Sequence, residues 1–280
     1  MPSIQSLETE IEQTFPLRLL NLKSRTFSYR EKGEGPAIIL LHGIGSGSGS
    51  WIHQLKHLAN KYKVIAWDAP GYGGTARLTK NYPKASDYVG ALEYFISGLN
   101  IEPYLMVGHS FGALIAGNYA KIHAELPALV LANPAIGYGA SDPKLRDEKL
   151  SMRINLMKNF GPKGLAIARS SNLLSDKASE EAKTLVHLNM KNLIPGGYAQ
   201  AAHMLASANL VEDAPCYRGP VLVLGGEKDT ITPEAQCRFL AGSYPNHNYK
   251  TLLNVGHASY IENSIQFNKQ LFNFIDDVLG

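Results

Sequence analysis

The pattern Gly108-x-Ser110-x-Gly112 constrains this chain more than any other feature. The apolar run before it, residues 104–107, is typical of a buried strand, and residues 113–120 after it show helical spacing. Ser110 therefore stands at a sharp turn from strand to helix, where the two glycines leave room for the backbone. A helix that begins there aims free N–H groups and its dipole at any oxyanion formed nearby. The pattern predicts Ser110 as a nucleophile.

Strand-like apolar segments alternate with helical segments along most of the chain. The predicted strands span residues 18–22, 26–30, 37–41, 63–67, 104–107, 128–132, 221–225 and 250–253. The first two are separated only by a turn and predict an antiparallel edge. The alternation that follows predicts an α/β fold, with a mostly parallel sheet of eight strands flanked by helices on both faces.

The strand pattern stops between about residue 136 and residue 214. Helical spacing, broken by glycine and proline, covers residues 143–159, 178–194 and 197–210. We therefore expect residues 1–135 and 215–280 to form the core of the fold, and residues 136–214 to form a helical cap over the strand ends. Among the apolar cap residues, Met157 and Met204 are candidates to line a substrate pocket.

Two further residues that carry chemistry follow strands late in the chain. Asp229 comes shortly after the strand at 221–225, and His257 follows the last strand in a loop. Because the carboxyl ends of parallel strands meet at one edge of a sheet, both should lie near Ser110. A serine hydroxyl needs a histidine to take its proton, and a carboxylate fixes the tautomer of that histidine and stabilises its cation. The sequence therefore predicts a catalytic triad of these three residues.

Other residues fit the position of the triad acid less well. Glu227 is nearer its strand and should face another direction, and Asp213 precedes the same strand at its opposite end. Asp68 comes before the nucleophile in the chain, so we expect it to brace a turn through backbone hydrogen bonds. Asn133 follows another strand but cannot carry the charge. Asp229 remains the predicted acid.

Composition argues against several other classes of protein. Hydrophobic residues make up 45% of the chain and charged residues 18%, which is typical of a globular protein. The net charge of +3 includes no basic tract, so we expect neither a nucleic-acid partner nor a membrane partner. Residues 1–15 lack the basic start and apolar run of a signal peptide, and no stretch approaches the roughly 18 apolar residues of a membrane span. These features predict a cytoplasmic protein.

Two pairs of side chains are of residue types that bind metals. His53 and His57 are spaced i, i+4 on a predicted helix, which suits a metal pair. The residues between them lack the glutamate of H-E-x-x-H, and no third ligand follows. Cys216 and Cys237 form no C-x-x-C pair. We therefore expect no metal and no other cofactor, and a small-molecule substrate as the partner.

Together the motifs resemble those of the α/β-hydrolase superfamily. They are His42-Gly43, Asp68-x-Pro70-Gly71-x-Gly73, Gly108-x-Ser110-x-Gly112 and the late Gly256-His257, within residues 37–279. The resemblance implies that the backbone N–H groups of Ile44 and Phe111 form an oxyanion hole, and that the helical insertion is a cap. Within the superfamily the chain is similar to small esterases, enol-lactonases and the carbon–carbon hydrolases of aromatic ring-cleavage pathways. Dehalogenases and epoxide hydrolases differ because they carry aspartate at the position of Ser110.

The triad and the resemblance predict a serine hydrolase that cleaves an ester or lactone bond through an acyl-enzyme on Ser110. One alternative is a carbon–carbon hydrolase acting on a vinylogous diketone, since the same triad serves both. Such enzymes commonly carry tryptophan directly after the catalytic histidine, where this chain has Ala258. A second alternative is a ligand-binding protein that keeps the fold without turnover, whose usual sign is a damaged triad. The apolar cap and the scarcity of arginine near the proposed site predict a small, largely apolar substrate.

Overall fold

A computed structural model describes residues 4–279 of the chain. Its sheet has eight strands in the order β1-β2-β4-β3-β5-β6-β7-β8. The strands are β1 (Arg18–Leu22), β2 (Arg25–Lys32), β3 (Ala37–Leu41), β4 (Lys63–Trp67), β5 (Pro103–His109), β6 (Leu129–Ala132), β7 (Val221–Gly226) and β8 (His247–Leu252). Strand β2 runs antiparallel to β1 and β4, and the other neighbouring strands are parallel. The predicted α/β fold with a mostly parallel eight-stranded sheet is confirmed.

Helices cover both faces of this sheet. They are α1 (Ile4–Thr14), α2 (Ile52–Leu58), α3 (Ala85–Leu99), α4 (Phe111–Ile122), α5 (Pro143–Arg169), α6 (Glu180–Lys191), α7 (Pro195–Ser207), α8 (Leu210–Asp213), α9 (Glu234–Ala241), α10 (Ser259–Glu262) and α11 (Ser264–Leu279). Helix α1 was not predicted, although Leu7, Ile11 and Phe15 recur every four residues and are buried. Within residues 4–279, no helix combines the length and the apolar character that a membrane crossing requires.

Strand β3 shows how one sheet builds two cores. Ile38 and Leu40 pack into the hydrophobic cluster on one face, and Ile39 and Leu41 pack into the cluster on the other. All four side chains are fully buried. Burial on both faces is typical of parallel strands covered by helices. Each such side chain contributes roughly 1.5–3 kcal/mol of transfer free energy to folding.

The chain between β6 and β7 is helical, and we call residues 136–214 the cap segment. Its first helix, α5, is longer than predicted and is interrupted at Gly161, which has a φ of 61°. Within residues 4–279, and apart from the adjacent backbone of α5 itself, no heavy atom lies within 4 Å of the position that a Cβ of Gly161 would occupy. The positive φ therefore favours glycine here, and crowding does not. Pro162 follows and removes one helical N–H donor. Helix α5 therefore consists of two parts that point in different directions.

The carboxyl ends of the parallel strands meet at one edge of the sheet, beneath the cap segment. The polar residues that follow these strands are His42 after β3, Ser110 after β5, Asn133 after β6, Asp229 after β7 and His257 after β8. Since five consecutive strands of the sheet contribute one of these residues each, they assemble at one edge although they are distant in the chain.

Candidate active site

Ser110 lies at the turn between β5 and α4, with a φ of 51° and a ψ of −111°. Few residues other than glycine adopt a positive φ, and such conformations cluster at functional sites. A Cβ on Gly112 would lie 2.2 Å from the carbonyl oxygen of Leu41, and a Cβ on Gly108 would lie 2.5 Å from the carbonyl oxygen of Gly112. Both glycines are therefore required by the close approach of α4 to the sheet.

Asp229 and His257 are joined by a hydrogen bond between buried side chains. Nδ1 of His257 lies 2.8 Å from Oδ2 of Asp229, and the side chains are 4% and 0% exposed respectively. A carboxylate can only accept, so Nδ1 carries the proton and donates it to this bond. Nε2 of the same ring is left to accept a proton.

The carboxylate of Asp229 receives several further hydrogen bonds. Oδ1 accepts from the backbone N–H groups of Ile231 at 2.8 Å and Thr232 at 3.0 Å. Oδ2 accepts from the Thr232 hydroxyl at 2.7 Å and from Nδ2 of Asn133 at 2.8 Å. Burial alone would raise the pKa of Asp229, but the charge of His257 and the bonds from His257 and Thr232 outweigh it and hold the pKa well below its usual range. Asp229 is therefore ionised at neutral pH.

Asn133 is fully buried beside this acid and has a φ of 45°. Its side-chain oxygen accepts a hydrogen bond from the Ser259 hydroxyl at 2.6 Å, which leaves its amide nitrogen oriented toward Asp229. The sequence excluded Asn133 as the acid but did not reveal that it donates to the acid. In the sequence, only its position after a buried strand, at the same sheet edge, indicated that Asn133 lies beside the acid.

His42 orients the loop that contains Ile44. The N–H of Ala69 donates to Nε2 of His42 at 3.0 Å, so the ring proton is on Nδ1, which donates to the carbonyl of Gly43 at 2.8 Å. Burial lowers the pKa of His42 and so favours this neutral ring. Because a trans peptide points its C=O and N–H in opposite directions, the N–H of Ile44 is directed away from His42.

The second predicted oxyanion donor is the N–H of Phe111, in the peptide bond that follows Ser110. Phe111 is the first residue of α4, so its N–H has no acceptor within the helix. Ile44 and Ser110 both line a cavity at this edge of the sheet. The two predicted oxyanion donors are thus backbone groups of segments that border the same cavity.

His109 packs against the proposed catalytic histidine. Its Nε2 donates to the backbone carbonyl of His257 at 2.9 Å, and the two ring centroids are 4.9 Å apart. Burial, with repulsion from His257, lowers the pKa of His109 to about 3, so this ring is neutral. His109 therefore holds the main chain of His257 in place, a role that was not predicted.

A cavity of about 310 Å³ lies at this edge of the sheet, beneath the cap segment. Ser110 and His257 both line it, although the part of the chain that the structure describes contains no hydrogen bond between the Ser110 hydroxyl and the His257 ring. Contacts of this kind are often long without substrate and shorten when it binds. The volume suits a small organic molecule.

Residues 36–264 match the protein family described as alpha/beta hydrolase fold. The chain belongs to the α/β-hydrolase family. A curated relative is the (E)-2-((N-methylformamido)methylene)succinate hydrolase of Acinetobacter baylyi, 28% identical over 229 residues that cover 74% of this chain and 77% of that protein. The family match and this relative together support hydrolase activity.

Solved structures of other α/β hydrolases superpose on nearly the whole chain. The enol-lactonase from Burkholderia xenovorans LB400 has a TM-score of 0.83 at 24% identity, covering 92% of this chain and 100% of that one. A thermophilic esterase from Thermogutta terrifontis also has a TM-score of 0.83, at 18% identity, covering 94% of this chain and 98% of that one. At these identities the similarity shows the fold alone.

The other candidate acids of this α/β hydrolase have partners elsewhere. Asp213 forms an ion pair with Lys121 at 2.6 Å. Asp68 accepts a hydrogen bond from the N–H of Ser48 at 2.7 Å and so braces a neighbouring loop. Glu227 is exposed. Among the described residues, none of these three carboxylates is hydrogen bonded to the histidine that contacts Asp229.

The cap residues that face the cavity differ from those expected. Met157 and Met204 are not in the cavity wall, because both are packed in the hydrophobic core. Met152, Leu156 and Met190 line the cavity instead. Leu156 is only partly buried against the hydrophobic core, whereas Met157 beside it is buried within that core.

Arginine is not scarce at this site, which corrects the expectation from sequence. Arg153 and Arg169 both line the cavity. Each comes from the cap segment, which lies far from Ser110 in the chain. Both arginines reach the site because α5 packs over the edge of the sheet. Helical spacing in the sequence does not predict that packing.

Proposed function

We propose that this α/β hydrolase is a serine hydrolase, which cleaves an ester or lactone bond of a small organic substrate through an acyl-enzyme on Ser110. The observation that carries the proposal is the 2.8 Å hydrogen bond from Nδ1 of His257 to Asp229. It leaves Nε2 of that ring available as a base, in a residue that lines the same cavity as Ser110.

The first half of the proposed reaction forms the acyl-enzyme. Nε2 of His257 takes the proton of the Ser110 hydroxyl while Oγ attacks the substrate carbonyl, and the departing alkoxide then receives that proton. Asp229 stabilises the imidazolium in between. The N–H groups of Ile44 and Phe111 donate to the oxyanion of the tetrahedral intermediate.

The second half of the reaction releases the acid. His257 takes a proton from a water molecule, whose oxygen attacks the acyl carbon, and the proton then returns to Oγ of Ser110. With a lactone, the alcohol of the first half and the acid of the second belong to one product molecule. Each step uses groups that the chain itself provides.

The carbon–carbon hydrolase alternative gains no support from the cavity. Ala258, next to His257, lines the cavity at the position where ring-cleavage hydrolases commonly carry tryptophan. We therefore retain an ester or lactone as the substrate class.

A fluorophosphonate probe tests the proposal directly. Folded wild-type protein should be labelled at Ser110, and the Ser110→Ala variant should not. A panel of short-chain nitrophenyl esters, aromatic esters and lactones, assayed beside the same variant, should show turnover only with Ser110. Folded protein that neither reacts with the probe nor turns over any of these substrates would instead support a ligand-binding protein without catalysis.

A further inference from the structure

Two positively charged side chains lie in the cavity wall that also contains Ser110 and His257. They are Arg153 and Arg169, one on each part of the interrupted helix α5. Among the described residues that line the cavity, none is aspartate, glutamate or lysine. The wall around the proposed nucleophile therefore carries two positive charges with no opposing carboxylate.

Arg153 is held in a defined orientation. Its guanidinium lies over the ring of Tyr138, 5.2 Å from the centroid, and donates to the Tyr138 hydroxyl at 3.3 Å. It also donates to the backbone carbonyl of Lys149 at 3.0 Å. These contacts use uncharged acceptors, so the positive charge of Arg153 is oriented but not neutralised.

The interruption at Gly161 explains how both arginines reach one cavity. In a straight helix, residues sixteen positions apart would lie roughly 24 Å from each other along the axis. Tyr198 also lines the cavity. Burial raises the pKa of Tyr198, and the positive charges of Arg153 and Arg169 both act to lower it.

The chain offers a direct contrast on the same helix. Arg146, near the start of α5 and outside the cavity wall, lies 3.7 Å from the carboxylate of Asp147. Among the described residues, neither Arg153 nor Arg169 forms an ion pair. An unpaired charge in a partly buried, mostly apolar cavity is unfavourable until it meets an anion, and a guanidinium matches a carboxylate in shape and charge.

We propose that the substrate is an ester or lactone that also carries a carboxylate, and that Arg153 and Arg169 bind this carboxylate. The inference rests on the proposed serine-hydrolase function and narrows its substrate class. The apolar wall then holds the carbon chain, while the arginines hold one charged end. We choose a carboxylate over a phosphate because the cavity is small and its wall, apart from this pair, is mostly apolar.

Turnover of matched substrates tests the inference. Monomethyl glutarate and dimethyl glutarate have the same chain, but only the first carries a carboxylate, on its acyl part. The pair 4-acetoxybenzoate and phenyl acetate places the carboxylate on the leaving group instead. We expect the anion of at least one pair to have a kcat/KM at least about 10-fold higher than its neutral partner. The pair that shows the preference identifies which part of the substrate the arginines bind.

Substitution of the arginines should remove that preference. Arg153→Gln and Arg169→Gln should each raise KM for the preferred anion about 10-fold or more, with kcat changed less, and should change neutral substrates by less than about threefold. Arg153→Lys should retain part of the binding because it keeps the charge but loses the planar fork. Arg146→Gln, on the same helix but outside the cavity, is the matched control and should have no effect.

Binding measurements separate this inference from the proposed function. In the Ser110→Ala background, calorimetry with the four compounds should show tighter binding of an anion than of its neutral partner, and either arginine substitution should weaken it. Equal affinities within both pairs, or tighter inhibition by inorganic phosphate than by glutarate, would overturn the carboxylate proposal while leaving the serine mechanism intact. Conversely, absent turnover with preserved anion binding would reject the serine mechanism alone.

Discussion

Oδ2 of Asp229 lies 2.8 Å from Nδ1 of His257 and 2.8 Å from Nδ2 of Asn133. The same carboxylate also accepts from the hydroxyl and the N–H of Thr232. A carboxylate that is buried and surrounded by donors keeps its negative charge. The proposed catalytic histidine therefore contacts a fixed negative charge.

Asp229→Asn should preserve the fold but lower kcat roughly 10⁴-fold, which is about 5 kcal/mol of transition-state stabilisation. The amide removes the charge that stabilises the His257 cation and allows the ring to adopt the wrong tautomer. Turnover of an ester substrate, with circular dichroism to verify folding, measures the effect. Glu227→Gln, an exposed acid on the same loop, is the control and should remain active. Near-wild-type turnover in folded Asp229→Asn protein would contradict the assignment.

Ser110→Ala should reduce kcat at least as much as the aspartate substitution. Because triad residues act as a unit, Ser110→Ala combined with Asp229→Asn should be little worse than Ser110→Ala alone. The remaining rate over the uncatalysed reaction would come from the oxyanion donors and substrate binding. Multiplicative losses in the double variant would show that the two residues act independently.

Asn133→Asp should destabilise the protein more at pH 7 than at pH 5. The new carboxyl would face Asp229 across a buried contact, and one of two adjacent carboxyl groups must stay protonated, so its folded-state pKa is raised. Stability is then lost as the pH rises through that pKa. Urea unfolding at both pH values, relative to wild type, measures the difference. Asn133→Ala removes the donor without adding charge, and its loss of stability should be the same at both pH values.

The free energy of unfolding should fall as the pH drops from about 6.5 toward 3. The unfolded chain binds a proton at His109 below about 6.5, whereas burial holds the pKa of His109 at about 3 in the folded protein. The slope from this group is at most about 1.4 kcal/mol per pH unit. His109→Gln keeps a donor for the His257 carbonyl and should flatten the profile.

His123→Gln is the control for this pH profile. Burial opposes the charged form of His123, but Glu93 and Glu125 outweigh burial and raise its pKa. This histidine therefore stabilises the fold at acid pH, and its contribution is lost as the pH rises. Its removal should not flatten the acid side of the profile. An unchanged profile in the His109→Gln protein would contradict the assigned pKa.

Glu262→Gln should lower kcat by up to about 10²-fold without abolishing it. The carboxylate of Glu262 accepts from the N–H of Gly256 at 2.8 Å and from the N–H of Ser175 at 3.0 Å, so it joins the His257 loop to the cap segment. Both N–H groups donate to Oε2, and Oε1 accepts from the Ser175 hydroxyl, so a glutamine loses the negative charge and one of these two acceptor oxygens. Steady-state kinetics beside Glu227→Gln, which removes a carboxylate that accepts from Asn254 on the same loop, measure the effect. Equal rates for the two variants would show that catalysis does not depend on the hydrogen bonds of Glu262 between the His257 loop and the cap segment.

The sequence by itself determined the parts of the protein that depend on local pattern. Apolar runs marked the central strands such as β3, β6 and β7, because side chains buried on both faces of a sheet leave no polar positions. The pattern around Ser110 marked its turn because crowding at Gly112 admits no side chain there. Asp229 and His257 could be named as candidates because the ends of parallel strands share one edge, whatever the loops between them do.

Only the tertiary structure decided which side chains from other segments of the chain lie at the carboxyl edge of the sheet. Asn133 as a donor to Asp229, and Arg153 and Arg169 in the cavity wall, result from contacts between segments far apart in the chain. Helical spacing shows that one face of α5 is buried, but it does not show which part of the protein packs against that face. The interruption at Gly161 also changes the direction of the second part of α5. Met157 was mistaken for a cavity residue for the same reason, since core and cavity both select apolar side chains and only packing separates them.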